Sequence, residues 1–170
     1  MAGEVSSGFR TNAPLYLAAL SGDWDVAERI FESDHQAVRA RITRAQETPL
    51  HIAAGARHLT FVENLVRMMT PADLALRNKV GNTALCFAAV SGVTKIAEVM
   101  VNKNKRLPLI RGSEGATPLH MATLLGHREM VWYLYNKTDS NRLTDEDHHG
   151  LLIAAITSDL FGKYQFAVYL

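Results

Sequence analysis

The sequence contains little of what secreted, membrane-spanning or nucleic-acid-binding proteins need. Its 170 residues include one cysteine, Cys86, which excludes an intramolecular disulfide and favours a reducing compartment. No apolar run approaches the ~20 residues that span a bilayer, and residues 1–8 lack the apolar core of a signal peptide. The formal net charge is +1, so no overall field attracts nucleic acid or an anionic membrane. We therefore expect a cytoplasmic protein with neither a membrane segment nor a nucleic-acid partner.

Catalytic motifs are missing as well. The chain has no G-x-S-x-G elbow, no H-E-x-x-H pair, no P-loop and no G-x-G-x-x-G turn. Catalytic triads can be scattered along a sequence, but a repeated pattern accounts for nearly every residue of this chain. We therefore predict that the protein is not an enzyme and uses no cofactor and no metal.

What the chain does contain is a seven-residue segment that recurs at nearly constant spacing. Its full copies begin, at spacings of 35, 35 and 34 residues, at Ala13, Thr48, Thr83 and Thr117. They read APLYLAA, TPLHIAA, TALCFAA and TPLHMAT, and a decayed fifth copy begins at Gly150. A period of about 33 residues with a T-P-L-H-x-A core is typical of ankyrin repeats. The chain resembles that family over about residues 13–155.

Each copy carries the signals of two paired helices. Thr48 and Thr117 are suited to cap a helix N-terminus, and the proline after each of them fits the first helical position. A glycine follows at the point where the first helix should end and φ should turn positive, at Gly22, Gly92 and Gly126. Apolar residues at helical spacing come next. Each unit therefore predicts helix, turn, helix and polar loop, and it must stack on a neighbour to bury its apolar face.

We predict an all-α fold, an ankyrin-repeat solenoid of about five helix-turn-helix repeats. The last repeat is degenerate, and the five are expected at about residues 13–43, 44–78, 79–112, 113–145 and 146–170. They form a single domain over residues 12–170, and a flexible tail at residues 1–11 precedes it. The final apolar run, residues 164–170, either forms a second helix that covers the fourth repeat or exposes apolar surface and drives self-association through the C-terminal end.

Several positions depart from the family pattern. Tyr16 replaces histidine in the first copy, as suits an end repeat. Cys86 stands where the family histidine would bond a neighbouring repeat, so we do not expect that hydrogen bond in the third copy. Arg57 stands at the glycine position of the second copy. Positive φ costs a non-glycine residue roughly 1–2 kcal/mol. The alternative is a rearranged turn that uses Gly55.

Three groups of polar residues suggest site chemistry, but each has a simpler structural interpretation. His51 and His120 share one repeat position, and the resemblance implies that they bridge adjacent loops. The acidic and histidine-rich run at residues 145–149 falls where a repeat has its exposed loop, and consecutive residues rarely converge on one metal ion. A basic stretch could bind phosphate or complement the dipole at a helix C-terminus, and it consists of Lys103, Lys105, Arg106 and Arg111.

A protein partner is the expected ligand, bound on the concave face that loop tips and first helices form in such a stack. The candidate residues are the positions there that the repeat framework leaves free. They are Arg44, Glu47, Lys79, Val80, Asn82, Val90, Ser91, Ser113, Glu114, Leu124 and Leu125. The leucines suggest an apolar groove, although they could equally pack on neighbouring repeats. Trp24 and Trp132 lie in second helices, as packing residues or as binding anchors.

A narrower resemblance concerns three stretches, residues 16–24, 81–89 and 143–147. They are similar to plant ankyrin proteins of the accelerated-cell-death-like and salt-tolerance-like type. Members of that family usually carry further repeats and a C-terminal membrane-spanning "PGG" domain, which this chain does not show. The resemblance implies an alternative function. The chain would then be the sensing part, on the cytosolic face of a membrane, of an anchored protein in stress or defence signalling.

Overall fold

The computed structural model describes residues 4–157, with side chains from Asn12 onward except that of Ser140. Within this range the chain forms α-helices and short 3₁₀ turns and contains no β-strand, which confirms the all-α prediction. The helices are α1 Glu4–Ser21, α2 Trp24–Ser33, α3 Pro49–Gly55, α4 Leu59–Met68, α5 Ala84–Ser91, α6 Thr94–Lys103, α7 Pro118–Leu124, α8 Arg128–Lys137 and α9 Asp145–Thr157.

The helices stack in two rows, as a solenoid requires. The first helices of successive repeats, α1, α3, α5, α7 and α9, pack side by side in one row, and α4, α6 and α8 form the second. Leu50, Leu85 and Leu119 are buried between the rows. Burial of each leucine side chain stabilises the fold by about 1.5–3 kcal/mol. The alanine pairs are completely buried, because only small residues fit where neighbouring first helices approach.

The structure describes the two predicted ends of the domain only in part. Helix α1 begins at Glu4, so the backbone is helical through part of the segment that we expected to be a flexible tail. The flexibility of residues 1–11 stays a prediction. At the other end, α9 is the first helix of the fifth repeat. Residues 158–170, which hold the rest of that repeat and the predicted self-association segment, lie outside the described residues.

The predicted glycine turns are present, and the structure explains why glycine is needed. Gly22 and Gly92 have φ of +77° and +75°. The ring of His58 lies over Gly22 and that of His127 over Gly92, so an added Cβ would be 2.6 and 2.7 Å from the respective Nδ1 atoms. Each ring donates from Nε2 to a carbonyl of the covered turn, at 2.8 Å to Leu20 and 2.9 Å to Val90.

Arg57 occupies the corresponding turn of the second repeat with φ of +71°. The alternative turn through Gly55 is therefore wrong, because Gly55 is the last residue of α3. The next repeat has Val93 at the position of the covering histidine. Since no imidazole ring lies there, a residue with a Cβ can take this turn at the cost of backbone strain alone.

Gly92→Ala is expected to lower the free energy of unfolding by about 2–3 kcal/mol, from positive-φ strain and the loss of the His127 hydrogen bond. The matched control is Arg57→Ala, which keeps a Cβ in the same conformation and should change stability by less than about 0.5 kcal/mol. Urea denaturation measures both. Adding His127→Ala to Gly92→Ala should recover part of the loss, and a purely additive double variant would contradict the steric explanation.

Candidate interaction surface

The loops that precede the first helices are joined by a row of arginines. Arg41 Nη1 donates to the carbonyl of Arg77 at 2.6 Å, and Arg77 Nη1 donates to the carbonyl of Arg111 at 3.0 Å. Arg111 ends the row with a two-pronged pair to the Asp147 carboxylate, Nη1 to Oδ1 at 2.7 Å. This arginine ladder holds neighbouring loops in fixed relation. Sequence reasoning missed it, although arginines spaced by the repeat period were its signal.

Asp147 belongs to helix α9, not to an exposed loop. The prediction that residues 145–149 form a solvated loop is wrong, because they make up the first turns of α9. Asp147 accepts from the backbone N of Thr144 at 2.7 Å and from its hydroxyl at 3.0 Å, and this capping contact starts the helix. The Arg111 guanidinium holds the pKa of the Asp147 carboxyl well below its usual range. Across the described residues, no three His, Cys, Asp or Glu side chains converge as metal ligands would.

Three side chains of the basic stretch make contacts within the protein, those of Lys103, Lys105 and Arg111. Lys103 is the last residue of α6, and its Nζ donates to the carbonyl of Val66 at 2.7 Å, in the last turn of α4. A cation at a helix C-terminus is the arrangement that the dipole interpretation predicts. Lys105 donates to Asn102 Oδ1 at 3.0 Å. Arg111 does not follow that interpretation, because it pairs with Asp147.

The bridging role predicted for histidine is confirmed at His51. Its Nδ1 accepts from the backbone N of Thr48 at 3.2 Å, and its Nε2 lies 3.0 Å from the carbonyl of Asn82 in the next loop. Because Nδ1 accepts from an N–H, the ring is neutral and Nε2 carries the proton. Burial lowers the pKa of His51 to about 4.

The prediction of a bridging role is wrong for His120. Its ring lies against Gly150 of α9, and in the described part of the chain it bridges to no neighbouring loop. The carbonyl that it would need precedes the fifth copy, inside α9, where carbonyls are engaged along the helix. At Cys86 the bridge is replaced. The Cys86 thiol lies 3.6 Å from the Thr83 hydroxyl of its own repeat, and Asn82 Oδ1 accepts from Ser113 N at 2.7 Å.

The first helices carry a row of apolar side chains, some of them exposed and others half-buried. Two equivalent positions in each copy form it, the residue before the small pair and the residue after it. Leu17, Val90, Leu124 and Ile153 are 59%, 50%, 55% and 62% exposed. In the second repeat Gly55 leaves a gap, which the ring of Phe87 covers. We call this row the apolar strip, and it consists of Leu17, Leu20, Ile52, Phe87, Val90, Met121, Leu124, Ile153 and Ile156.

The predicted binding residues fall into two groups. Some are held in structural contacts, since Glu47 accepts from the Thr43 hydroxyl, Asn82 and Ser113 bond each other, and Ser91 donates to the Ala88 carbonyl. The others are exposed, namely Arg44, Lys79, Val80, Val90, Glu114, Leu124 and Leu125. The exposure of the two leucines favours the groove alternative over packing between repeats. Leu17, Leu20, Ile153 and Ile156 were not among the predicted residues, although Leu20 and Ile156 share the repeat position of Val90 and Leu124.

Loops and first helices form the two walls of a groove. A cleft of about 390 Å³ opens between them, and its lining residues are Tyr16, Thr43, Arg44, Ala45, Glu47 and Ile52. In the fourth repeat, Met121 reaches across to Gly112 in the loop before it, where an added Cβ would lie 2.9 Å from Met121 Cε. The loops therefore border the apolar strip at both places.

The two tryptophans have different environments. Trp24 packs edge-on against Phe61, with ring centroids 5.3 Å apart, and also contacts Phe31, so it joins neighbouring second helices. Trp132 is exposed on α8 and stacks on Tyr135 at 6.5 Å. Trp24 is therefore a packing residue, and Trp132 lies on the row opposite the apolar strip.

The family model for ankyrin repeats in three copies matches residues 61–145, which is half of the chain. The chain belongs to the ankyrin-repeat family. It is 29% identical over 143 residues to Protein ACCELERATED CELL DEATH 6 of Arabidopsis thaliana, over 75% of this chain and 21% of that protein. It is 36% identical over 80 residues to the Nuclear factor NF-kappa-B p105 subunit of Rattus norvegicus, over 46% of this chain and 8% of that protein.

A solved structure shares the ankyrin-repeat fold. A chain in the crystal structure of the yeast ribosomal protein Rps3 in complex with its chaperone Yar1 superposes with a TM-score of 0.69 at 24% identity, over 77% of this chain and 95% of that chain. The chain spans about a fifth or less of the length of the two curated relatives. In residues 4–157 no helix has the length and apolar character needed to cross a membrane.

Proposed function

We propose that this protein is a non-enzymatic interaction module that binds a protein partner on its concave face, along the apolar strip. Ankyrin repeats suggest protein–protein interaction, and their fold is typically a scaffold without catalytic function. The observation that supports this site is the row of apolar side chains at the same two positions of successive repeats, of which Leu17, Leu20, Val90, Leu124, Ile153 and Ile156 are exposed. Large exposed apolar surfaces on soluble proteins mark interaction sites.

The concave site is tested by Val90→Glu combined with Leu124→Glu. Both side chains are exposed on first helices, so the double variant should melt like the wild type. A charge placed in an apolar contact must be desolvated, and partner capture should fall at least about tenfold. Capture from cell extract, quantified by mass spectrometry, measures the change. Met68→Glu is the matched control, because Met68 is exposed on α4 in the second row. Full capture by the double variant would show that the partner binds elsewhere on the protein.

A second function is favoured by the similarity to ACCELERATED CELL DEATH 6. The match extends over 75% of this chain, beyond the part that the family model covers. In this proposal the chain is the cytosolic sensing part of a larger membrane-anchored plant protein in stress or defence signalling. A full-length transcript that encodes several apolar segments after Leu170 supports it, and one that encodes none contradicts it. The concave site is common to both functions.

A further inference from the structure

The loops that border the apolar strip carry opposite charges at the two ends of the stack. The loops at residues 41–47 and 76–82 hold four basic residues and one acidic residue, a formal charge of +3. The corresponding segments at residues 110–116 and 142–148 hold two basic and four acidic residues, a formal charge of −2. We call these loops, together with the first turn of α9, the loop row. It is basic beside the second and third repeats and acidic beside the fourth and fifth.

The contacts that these charged side chains make do not remove the charge difference between the two halves of the loop row. Arg41 and Arg77 of the ladder donate to neutral carbonyls, so both keep their positive charge. Lys79 is exposed beside them. In the acidic half, Arg111 and Asp147 cancel each other. The acidic side chains that are exposed there are Glu114, Asp145 and Glu146.

The strip itself carries no charge that would obscure the difference. The segments 12–21, 49–55, 84–91 and 118–124 contain no Asp, Glu, Lys or Arg. A ligand on the strip therefore meets apolar side chains along its length and a field that changes sign from one end to the other. Such a field sets the orientation of a charged ligand more than its affinity.

We propose that the partner is a protein segment with apolar side chains on one face, an acidic end and a basic end, bound in a single direction. Its acidic end lies beside Lys79 and Arg77, and its basic end lies beside Glu114 and Glu146. This inference rests on the proposed concave site. A phosphate-rich ligand such as nucleic acid or an anionic membrane does not fit, because the acidic half of the loop row would repel it.

The experiment starts from a displayed library of random 20-residue segments, selected on the immobilised wild-type chain. Segments that also bind Val90→Glu with Leu124→Glu are removed. The surviving segments are expected to carry acidic residues towards one end, basic residues towards the other and apolar residues between them. Their affinity should weaken as the salt concentration rises, because exposed charges are screened.

Binding direction is then read from paired charge changes on one selected segment. Lys79→Glu and Glu146→Lys should each weaken its binding by about three- to fivefold, the range of an exposed ion pair. Neutralising the acidic end of the segment should abolish the effect of Lys79→Glu and leave that of Glu146→Lys. Glu28→Lys, on the exposed surface of α2, is the control and should change nothing.

The outcomes separate this inference from the proposed function. If the selected segments lack opposite charged ends, the proposed binding direction is overturned while the concave site stands. The same holds if neutralising either end of the segment changes the effect of Lys79→Glu equally. If no segment depends on Val90 and Leu124, the concave site fails and the inference fails with it. Light scattering that shows a dimer for the wild type and a monomer for Val90→Glu with Leu124→Glu would place a second copy of the chain on the strip and would also overturn the inference.

Discussion

Replacing Leu119 with alanine is expected to lower the free energy of unfolding by about 2–5 kcal/mol. Leu119 lies in α7 and is 1% exposed. Helix α7 packs against α5, α8 and α9, so the deleted methyl groups leave a cavity that several elements would have to close together. A solenoid core consists of such layers, and a cavity in one weakens its contacts with both neighbours. Urea denaturation followed by circular dichroism gives the change directly.

Leu125→Ala and His149→Ala are the controls for this result. Leu125 follows the end of α7 and is half exposed, so the same chemical change there removes little buried surface. His149 is exposed on α9. Each control should change stability by less than about 0.5 kcal/mol. Losses equal to that of Leu119→Ala would show that the repeat positions have been assigned incorrectly.

Stability is expected to fall as the pH is lowered from about 6.5 towards 4, because of His51. Protonation would place a hydrogen on Nδ1, which accepts from the Thr48 N–H, and would put a charge in a buried site. Burial therefore lowers the pKa of His51 from 6.5 to about 4 in the folded protein. Between these values the unfolded chain binds a proton that the folded chain does not. The contribution of neutral His51 to the free energy of unfolding is complete above pH 6.5, and up to about 3 kcal/mol of it is lost by pH 4.

Urea denaturation of the wild type and of His51→Gln at pH 7.5, 5.5 and 4.5 tests this linkage. The variant should be less stable at pH 7.5, because it loses the bridge to Asn82, but its stability should change less over the range. Parallel pH curves would contradict the assignment to His51. Titration of Asp147 does not account for a change in stability between pH 7.5 and 4.5. Its pKa is lowered, so its contribution is lost only below about pH 4, where an ordinary carboxylate titrates.

The repeat pattern predicts this fold well because its signals are local. The cap at Thr117, the glycine at Gly92 and the buried leucines each depend on a few neighbouring residues, and the structure has all of them. The bridge at His51 could be predicted too, since the loop that it reaches is another copy of the same unit. Equivalent positions thus indicate equivalent contacts wherever both partners keep the repeat geometry.

Prediction failed where the partner departs from the repeat. Asp147 caps α9 and pairs with Arg111, so a helix replaces the expected loop, and His120 loses its bridging carbonyl as a result. The residues of the candidate surface were predicted only in part, and the reason is related. Exposure at a position such as Asn82 depends on the hydrogen bonds that its side chain makes, and these involve a loop 31 residues away. Such contacts are properties of the stack, and a single unit does not encode them.

The histidines over the glycine turns have a consequence for how this array could be shortened or lengthened. His58 and His127 cover turns in the first and third repeats, whereas Val93 stands at the covering position for the turn of Arg57 in the second. Removing the third repeat alone would bring His127 over Arg57, where a Cβ occupies the space that the ring needs. Removing the second and third repeats together would bring His127 over Gly22 and restore the fit. Removing the second repeat alone would bring Val93 over Gly22 and leave His127 over Gly92, so no ring would meet a Cβ. Which repeat is removed therefore decides whether the stack closes again, and the third repeat is the one whose removal alone produces a clash.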